Sequence, residues 1–128
     1  MTIGVLCPLY NSLAYLDDLI SSLKNQSNSD FKVYFIDDGS SDDTLEIITK
    51  KLNHGLVKFE YEILQNPINL GYLKTINKLW VLSTEDYITF HDSDDYWHPD
   101  LIKSITDNVG EDFVCFNFKR FLRTDEIE

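Results

Sequence analysis

The sequence predicts an α/β fold built on a mostly parallel, doubly wound sheet. Two observations lead there. Apolar, strand-like runs alternate with amphipathic helical stretches in the order β-α-β-α-β-α-β-α-β across the 128 residues, the pattern of successive right-handed crossovers. Two of the strand-like runs, Phe31 to Ile36 and Tyr87 to Phe90, pass directly into acidic clusters. Parallel strands bring such clusters to one rim of the sheet, where open α/β sheets bind ligands.

The elements follow in order. Ile3 to Cys7 reads as a short buried strand, broken by Pro8-Leu9-Tyr10-Asn11. Asn11 or Ser12 can cap the helix that follows. Leu13, Leu16, Ile20 and Leu23 recur on that helix at helical spacing, with Asp17 and Asp18 near its start and Lys24 near its end, as the macrodipole favours. Phe31 to Ile36 is a second buried strand. It ends in Asp37-Asp38-Gly39-Ser40-Ser41-Asp42-Asp43-Thr44, in which Ser40 and Asp43 have the spacing of a capping box and Gly39 allows a tight turn. Helix capping is the simplest account of Asp42 and Asp43, whereas Asp37 and Asp38 precede the cap and need another. Leu45, Ile48 and Leu52 give the second helix its apolar face, and Gly55 can end it.

Val57, Phe59, Tyr61 and Ile63 alternate with Lys58, Glu60 and Glu62, the pattern of a half-exposed strand at or near a sheet edge. Gln65 to Leu70 reads as a loop. The helix after Asn69-Leu70-Gly71 places Leu73, Ile76 and Trp80 on one face. Tyr87 to Phe90 is then predicted to be a buried strand, with a helix behind Pro99 marked by Leu101, Ile102, Ile105 and Val109. Phe113 to Phe118 is a last apolar strand, and residues 119–128 form a mixed-charge tail.

Composition excludes several classes of function. An apolar content of 43% argues against disorder, and no apolar run approaches the ~20 residues that span a bilayer. The first residues lack the pattern of a secretory signal. Cys7 and Cys115 lie in apolar runs and read as reduced core residues, which points to the cytoplasm. A formal charge of −11 disfavours a nucleic-acid surface, although a bound divalent cation would allow an anionic ligand.

The stretch from Asp92 to Asp100 carries the chemistry. In an extended chain Asp92 and Asp94 leave on the same side, roughly 7 Å apart at Cα. Neighbouring carboxylates repel unless a cation or proton joins them, and Mg²⁺ or Mn²⁺ takes oxygen ligands of this kind. A solvated loop, with Asp95 or Asp100 near a helix start, is the plainer alternative.

Four motifs in one order make the pattern more specific. Pro8-Leu9-Tyr10-Asn11, Asp37-Asp38-Gly39-Ser40 with Asp42, Asn69-Leu70-Gly71, and Asp92-Ser93-Asp94-Asp95 followed by Trp97, Pro99 and Asp100 together resemble the P-x-Y-N, D-D-G-S-x-D, N-x-G and D-x-D-D…W-x-P-D motifs of family 2 glycosyltransferases. The resemblance implies the GT-A fold, Rossmann-like and three-layered (α/β/α). Residues 1–118 would be the nucleotide-sugar-binding half of that catalytic domain, truncated before the acceptor half. It also implies roles. Tyr10 would stack on the nucleotide base beside Pro8, and Asp38 would accept a hydrogen bond from the base. Asp92 would lie near the ribose and the metal's water shell. Asp94 would ligate Mg²⁺ or Mn²⁺ bridging the donor diphosphate. Asn11, Asn69, Gly71, Lys74 and Ser93 complete the implied binding set. One position departs from the family pattern: Ile76 stands where relatives often carry Arg, and Lys74 is the candidate replacement for its charge, or else a solvated side chain.

The expected activity is metal-dependent transfer of a sugar from a nucleoside diphosphate, with a UDP-sugar the expected donor, to a hydroxyl of a saccharide or lipid-linked acceptor in polysaccharide biosynthesis. The expected location is cytoplasmic or peripheral to the inner face of a membrane. The family's catalytic base has no counterpart before Glu128, so the catalytic residue is unassigned and a non-catalytic nucleotide-sugar-binding module is the alternative. Self-association at the edge left by the missing half is a further expectation. Signalling receiver domains and D-x-D-x-T phosphatases fit worse: both need their acids after the first strand, where this chain has Pro8-Leu9-Tyr10-Asn11.

Overall fold

The computed structural model describes residues 2–108 and 110. The strand expected at Phe113 to Phe118, Cys115 and the charged tail lie outside the described residues. Within them the chain runs β1 (Ile3–Leu9), a 3₁₀ turn (Leu13–Tyr15), α1 (Leu16–Lys24), β2 (Lys32–Asp38), α2 (Thr44–His54), β3 (Glu60–Asn66), α3 (Tyr72–Leu82), β4 (Tyr87–Phe90) and α4 (Leu101–Asp107). The four described strands form one parallel sheet in the order β3-β2-β1-β4. Parallel pairing fixes the direction of every strand, so β1, β2 and β4 all deliver their C-terminal ends to one rim.

Alternation along the central strands builds the core on two faces. Val5, Cys7, Val33 and Phe35 point to one side, where they meet Leu16, Leu19 and Leu23 of α1, Ile48 and Leu52 of α2, and Ile102 and Ile105 of α4. Leu6, Tyr34 and Ile36 point to the other and are covered by Ile76 and Leu79 of α3. The result is three layers, as expected for this fold. Burying a side chain of this size contributes about 1.5–3 kcal/mol, so the central strands and the helical faces packed on them together supply the hydrophobic stabilisation. Among the described residues no helix is long and apolar enough to cross a membrane.

Several elements differ from their sequence pattern. β3 lies at the sheet edge, as its alternation predicts, but it runs through Gln65 and Asn66, because Asp37 and Asp38 of β2 continue the pairing opposite them. β4 is half-buried rather than buried, because it is the outer strand of the described sheet and Phe90 at its end is 44% exposed. α3 buries Thr75, Ile76 and Leu79, while Leu73 and Trp80 are exposed. The helix packs over β1 and β2, and Trp80 instead stacks on Phe90, with ring centroids 6.3 Å apart. Leu13 is also exposed, because the chain enters α1 through the 3₁₀ turn and leaves Leu13 off the helical face.

His91, just beyond β4, is fully buried. Its backbone N–H donates to the Leu6 carbonyl, extending the β1 pairing, and its ring stacks on Trp97 with centroids 4.4 Å apart. Burial pushes the imidazole down from an ordinary 6.5 to about 4, against the raising influence of the Asp92 backbone and the Asp94 charge. Between those two values the unfolded chain binds a proton that the folded chain does not, so stability falls as pH falls through the window. The thermal midpoint is therefore expected to drop between pH 7 and pH 5. The drop should be shallower in His91→Phe, which keeps the ring stack but cannot titrate. Equal slopes by calorimetry would assign the loss to other groups.

Candidate functional site

Four segments meet at the rim: the turn after β1, the turn after β2, the stretch from the end of β3 to the start of α3, and the acidic turn after β4. Between them lies a cleft of about 510 Å³ lined by Pro8, Leu9, Tyr10, Ser12, Tyr15, Asp38, Asn69, Gly71, Tyr72, Asp92, Ser93 and Asp94. Eight of the residues singled out from the sequence are thus brought together. Asn11 and Lys74 are not among the lining residues.

The first two turns hold each other. Asn11 adopts φ 47°, and its side-chain oxygen accepts the Ser41 N–H at 2.9 Å while its own N–H donates to Ser40 Oγ at 2.9 Å. Ser12, almost fully buried, donates its N–H to Thr44 Oγ1, and its hydroxyl lies 3.1 Å from that of Ser93. Neither Asn11 nor Ser12 makes the helix-capping hydrogen bond expected of it. The Ser40–Asp43 capping box does not form either, because Ser40 Oγ donates to Asp37 at 2.6 Å and Asp37 also accepts the Ser40 N–H. Asp42 accepts the Thr44 N–H at 3.0 Å and so serves the start of α2 in its place. Tyr10, 51% exposed, lines the cleft.

Asp38 is buried to 3% exposure, and its carboxylate organises the third segment. One oxygen accepts the Leu70 N–H at 2.8 Å and Asn66 Nδ2 at 3.0 Å; the other accepts the Gly71 N–H at 3.1 Å and Asn69 Nδ2 at 3.3 Å. Burial alone would raise this carboxyl, but the donors from Leu70, Asn66, Thr75 and Gly71 outweigh it and hold the group below its ordinary value. Gly71 has φ 90°, which suits glycine and leads straight into α3. At Gly39, with φ 65°, an added Cβ would collide with the backbone of Ile68 and Asn69. The Asp38-Gly39 and Asn69-Leu70-Gly71 turns are therefore in backbone contact, locked by one carboxylate.

After β4 the chain turns at once. The Asp95 N–H donates to the Asp92 carbonyl at 3.1 Å, closing a tight turn with Ser93 and Asp94 at its corners. The extended geometry expected from the i, i+2 spacing is thus replaced by a turn. Asp92 Oδ1 accepts the Tyr72 hydroxyl at 3.1 Å, and the phenol is pushed up by partial burial and then by that carboxylate. Asp95 is held above the usual carboxylate range by partial burial, then by the charges of Asp92 and Asp94.

This crowding bears on whether the residues fit a metal. Among the described residues three carboxylates line the cleft, and no Lys or Arg does. Lys78 donates to Asn66, Lys74 is solvent-exposed, and Ile76, at the position of the family's Arg, is buried against Leu6 and Tyr34. Among the described residues no three His, Cys, Asp or Glu side chains are grouped to enclose an ion. The set instead fits a cation held by one or two carboxylates and completed by ligand oxygens, as hard divalent ions are in phosphate sites.

Sequence reasoning missed Asn66, Tyr72, Thr75 and Ser22, and read Ser12 only as a helix cap. Only Tyr72 carried a usable signal, as an aromatic residue directly after the Asn69-Leu70-Gly71 motif.

Comparison with known proteins identifies the fold and the family. An uncharacterized glycosyltransferase of Haemophilus influenzae is 35% identical over 94 residues, covering 73% of this chain and 36% of that protein. The crystal structure of Staphylococcus aureus TarS 1-349 in complex with UDP-GlcNAc superposes with a TM-score of 0.74 at 32% identity, covering 84% of this chain and 30% of that one. The mannosyltransferase PcManGT of Pyrobaculum calidifontis, in complex with GDP-Man and Mn²⁺, has the same fold, with a TM-score of 0.75 at 17% identity over 86% of this chain and 32% of that one. The chain spans about a third of the length of each. The fold is that of the GT-A glycosyltransferases, and a family model described as Glycosyl transferase family 2 matches residues 5–126, so the chain belongs to that family.

Proposed function

We propose that the rim cleft binds a nucleoside diphosphate sugar together with Mg²⁺ or Mn²⁺, as the donor site of a glycosyltransferase. The observation that carries this reading is the charge of the cleft, which among the described residues is lined by three carboxylates and no basic side chain. A diphosphate cannot enter such a site unless a cation offsets the repulsion. Asp94 and Asp92, on the turn after β4, would hold that cation. When bound, it would neutralise charge developing on the leaving diphosphate as the glycosidic bond breaks.

The chain's own residues would do the rest. Tyr10 lines the cleft together with Pro8, so the base would stack there. Asp38 lies at the same end. Both its oxygens already accept two hydrogen bonds, so contact with a base N–H would require one of them to be exchanged. Its backbone and the Asn69-Leu70-Gly71 turn form the wall against which the base and ribose rest. Lys74 remains a candidate phosphate contact at the start of α3. A uridine nucleotide is the favoured donor, supported by TarS in complex with UDP-GlcNAc. A saccharide acceptor is supported by relatives named for teichuronic acid biosynthesis and as a chondroitin synthase.

Isothermal titration with UDP and GDP, with Mn²⁺ or in excess EDTA, tests the reading. Binding is expected only with the metal, and equal affinity in EDTA would overturn it. Asp94→Asn should abolish the metal-dependent part while leaving the melting temperature equal or higher, since it relieves repulsion within the turn.

Tyr10→Ala should weaken nucleotide binding by roughly 1–3 kcal/mol, the range for base–aromatic stacking, with little change in stability because the ring is half-exposed. Unchanged affinity in this variant would place the base elsewhere. Asp38 is unsuited to that test, because replacing it would also release the Leu70 and Gly71 amides.

A further inference from the structure

We propose that His91 is a positioning residue for the acidic turn: through its ring Nδ1–H it fixes the Asp92 carbonyl, and so sets the direction in which Asp92 and Asp94 face the cleft. This rests on the donor-site reading above only for its functional consequence. Its structural content stands alone.

His91 Nδ1 lies 2.7 Å from the Asp92 carbonyl oxygen, and Nε2 lies 3.0 Å from Ser22 Oγ. A carbonyl can only accept, so Nδ1 carries the proton. The neutral ring then leaves Nε2 as an acceptor, and the Ser22 hydroxyl supplies the matching donor. Ser22 is itself fully buried on α1, with its hydroxyl also 3.2 Å from the Leu19 carbonyl. Packing against Trp97 prevents the ring from swinging away. A side chain with both nitrogens satisfied and no exposure has one orientation.

The target of Nδ1 is the decisive point. The Asp92 carbonyl is the same group that accepts the Asp95 N–H and closes the turn. It therefore receives two donors, one from within the turn and one from the core. The bond within the turn gives the segment its shape, and the bond from His91 sets that shape at a fixed angle to the sheet. Two further ties act on side chains rather than backbone: Tyr72 on the Asp92 carboxylate and Ser12 on the Ser93 hydroxyl. Tyr72 is exposed at the cleft, where a ligand can displace it, whereas Ser12 and His91 are buried, and of the three only His91 holds the backbone of the turn. Like-charged carboxylates on a short turn drift apart unless the backbone beneath them is held, which gives the buried bond its purpose.

Three variants separate the contacts. His91→Phe keeps a ring on Trp97 and loses both hydrogen bonds. In His91→Asn the amide nitrogen falls near the Nδ1 position, restoring the donor to Asp92 while losing the bond to Ser22. Ser22→Ala removes only the second bond. Affinity for UDP with Mn²⁺, measured below the melting temperature of every variant, is expected to fall about tenfold in His91→Phe. It should stay within about threefold of the parent in His91→Asn and Ser22→Ala, although both melt lower. A His91→Phe protein that binds like the parent, or a His91→Asn protein as weak as His91→Phe, would overturn the proposal.

A second measurement needs no ligand. Long-range ¹H–¹⁵N correlation of the parent at pH 7 should show the neutral ring protonated at Nδ1, and His91→Phe should shift the amides of Ser93 to Asp95 while leaving those of Leu70 and Gly71 in place. A ring protonated at Nε2 would overturn the proposal whatever the binding data show. If the parent binds no nucleotide, the donor-site reading fails, and these spectra still decide the role of His91.

Discussion

The buried carboxylate of Asp38 is the constraint on which the cleft depends. A charge in the protein interior is tolerated only when its lone pairs are filled, and here two backbone amides and two side-chain amides fill them. Those donors come from Asn66 at the end of β3 and from Asn69, Leu70 and Gly71 before α3, so charge satisfaction and loop placement are one event. Losing the carboxylate would strand the Leu70 and Gly71 amides, at about 1–3 kcal/mol for each buried group left unpaired. The close contact of Gly39 with the Ile68–Asn69 backbone has the same origin, because only glycine lets the two turns approach far enough for these bonds to form.

The acidic turn is built by the opposite logic. Asp92, Asp94 and Asp95 lie close together with no basic partner lining the cleft among the described residues, and the protein answers their repulsion with geometry rather than countercharge. Contacts from Ser12 and Tyr72 reach the turn from segments distant in sequence, and His91 holds it from the residue just before it. The unfavourable charge density is thereby kept where an incoming cation would gain from it, as preorganised sites require.

Much of this was legible in the sequence, and the remainder has a common physical cause. Alternating periodicity identified the four described strands and four helices, and the pairing of acids with strand ends predicted their convergence, because both signals are local. Partner choice is not local. The sequence marks Ser40 and Asp43 as a capping box, but Ser40 gives its hydroxyl to Asp37, three residues the other way. The helical face of Leu73 and Trp80 appears apolar in isolation, yet which face is buried depends on which strands lie beneath α3. Asn66, assigned to a loop by its composition, is held in β3 by pairing with Asp38 and buried by its bond to that carboxylate. Ser22 and His91 lie 69 residues apart and carry no motif at all.

The strand order has a consequence for how the molecule is made. β1 is an inner strand, flanked by β2 and β4 and apolar along its length, and β4 pairs Tyr87 with its Ile3. At ordinary translation rates, on the order of ten seconds separates the emergence of these two residues from the ribosome. During that interval β1 can pair with β2 but keeps an open hydrogen-bonding edge, the kind of surface on which chaperones and misfolding act. The rim cleft, which takes residues from the turn after β4, is likewise incomplete until that turn has emerged.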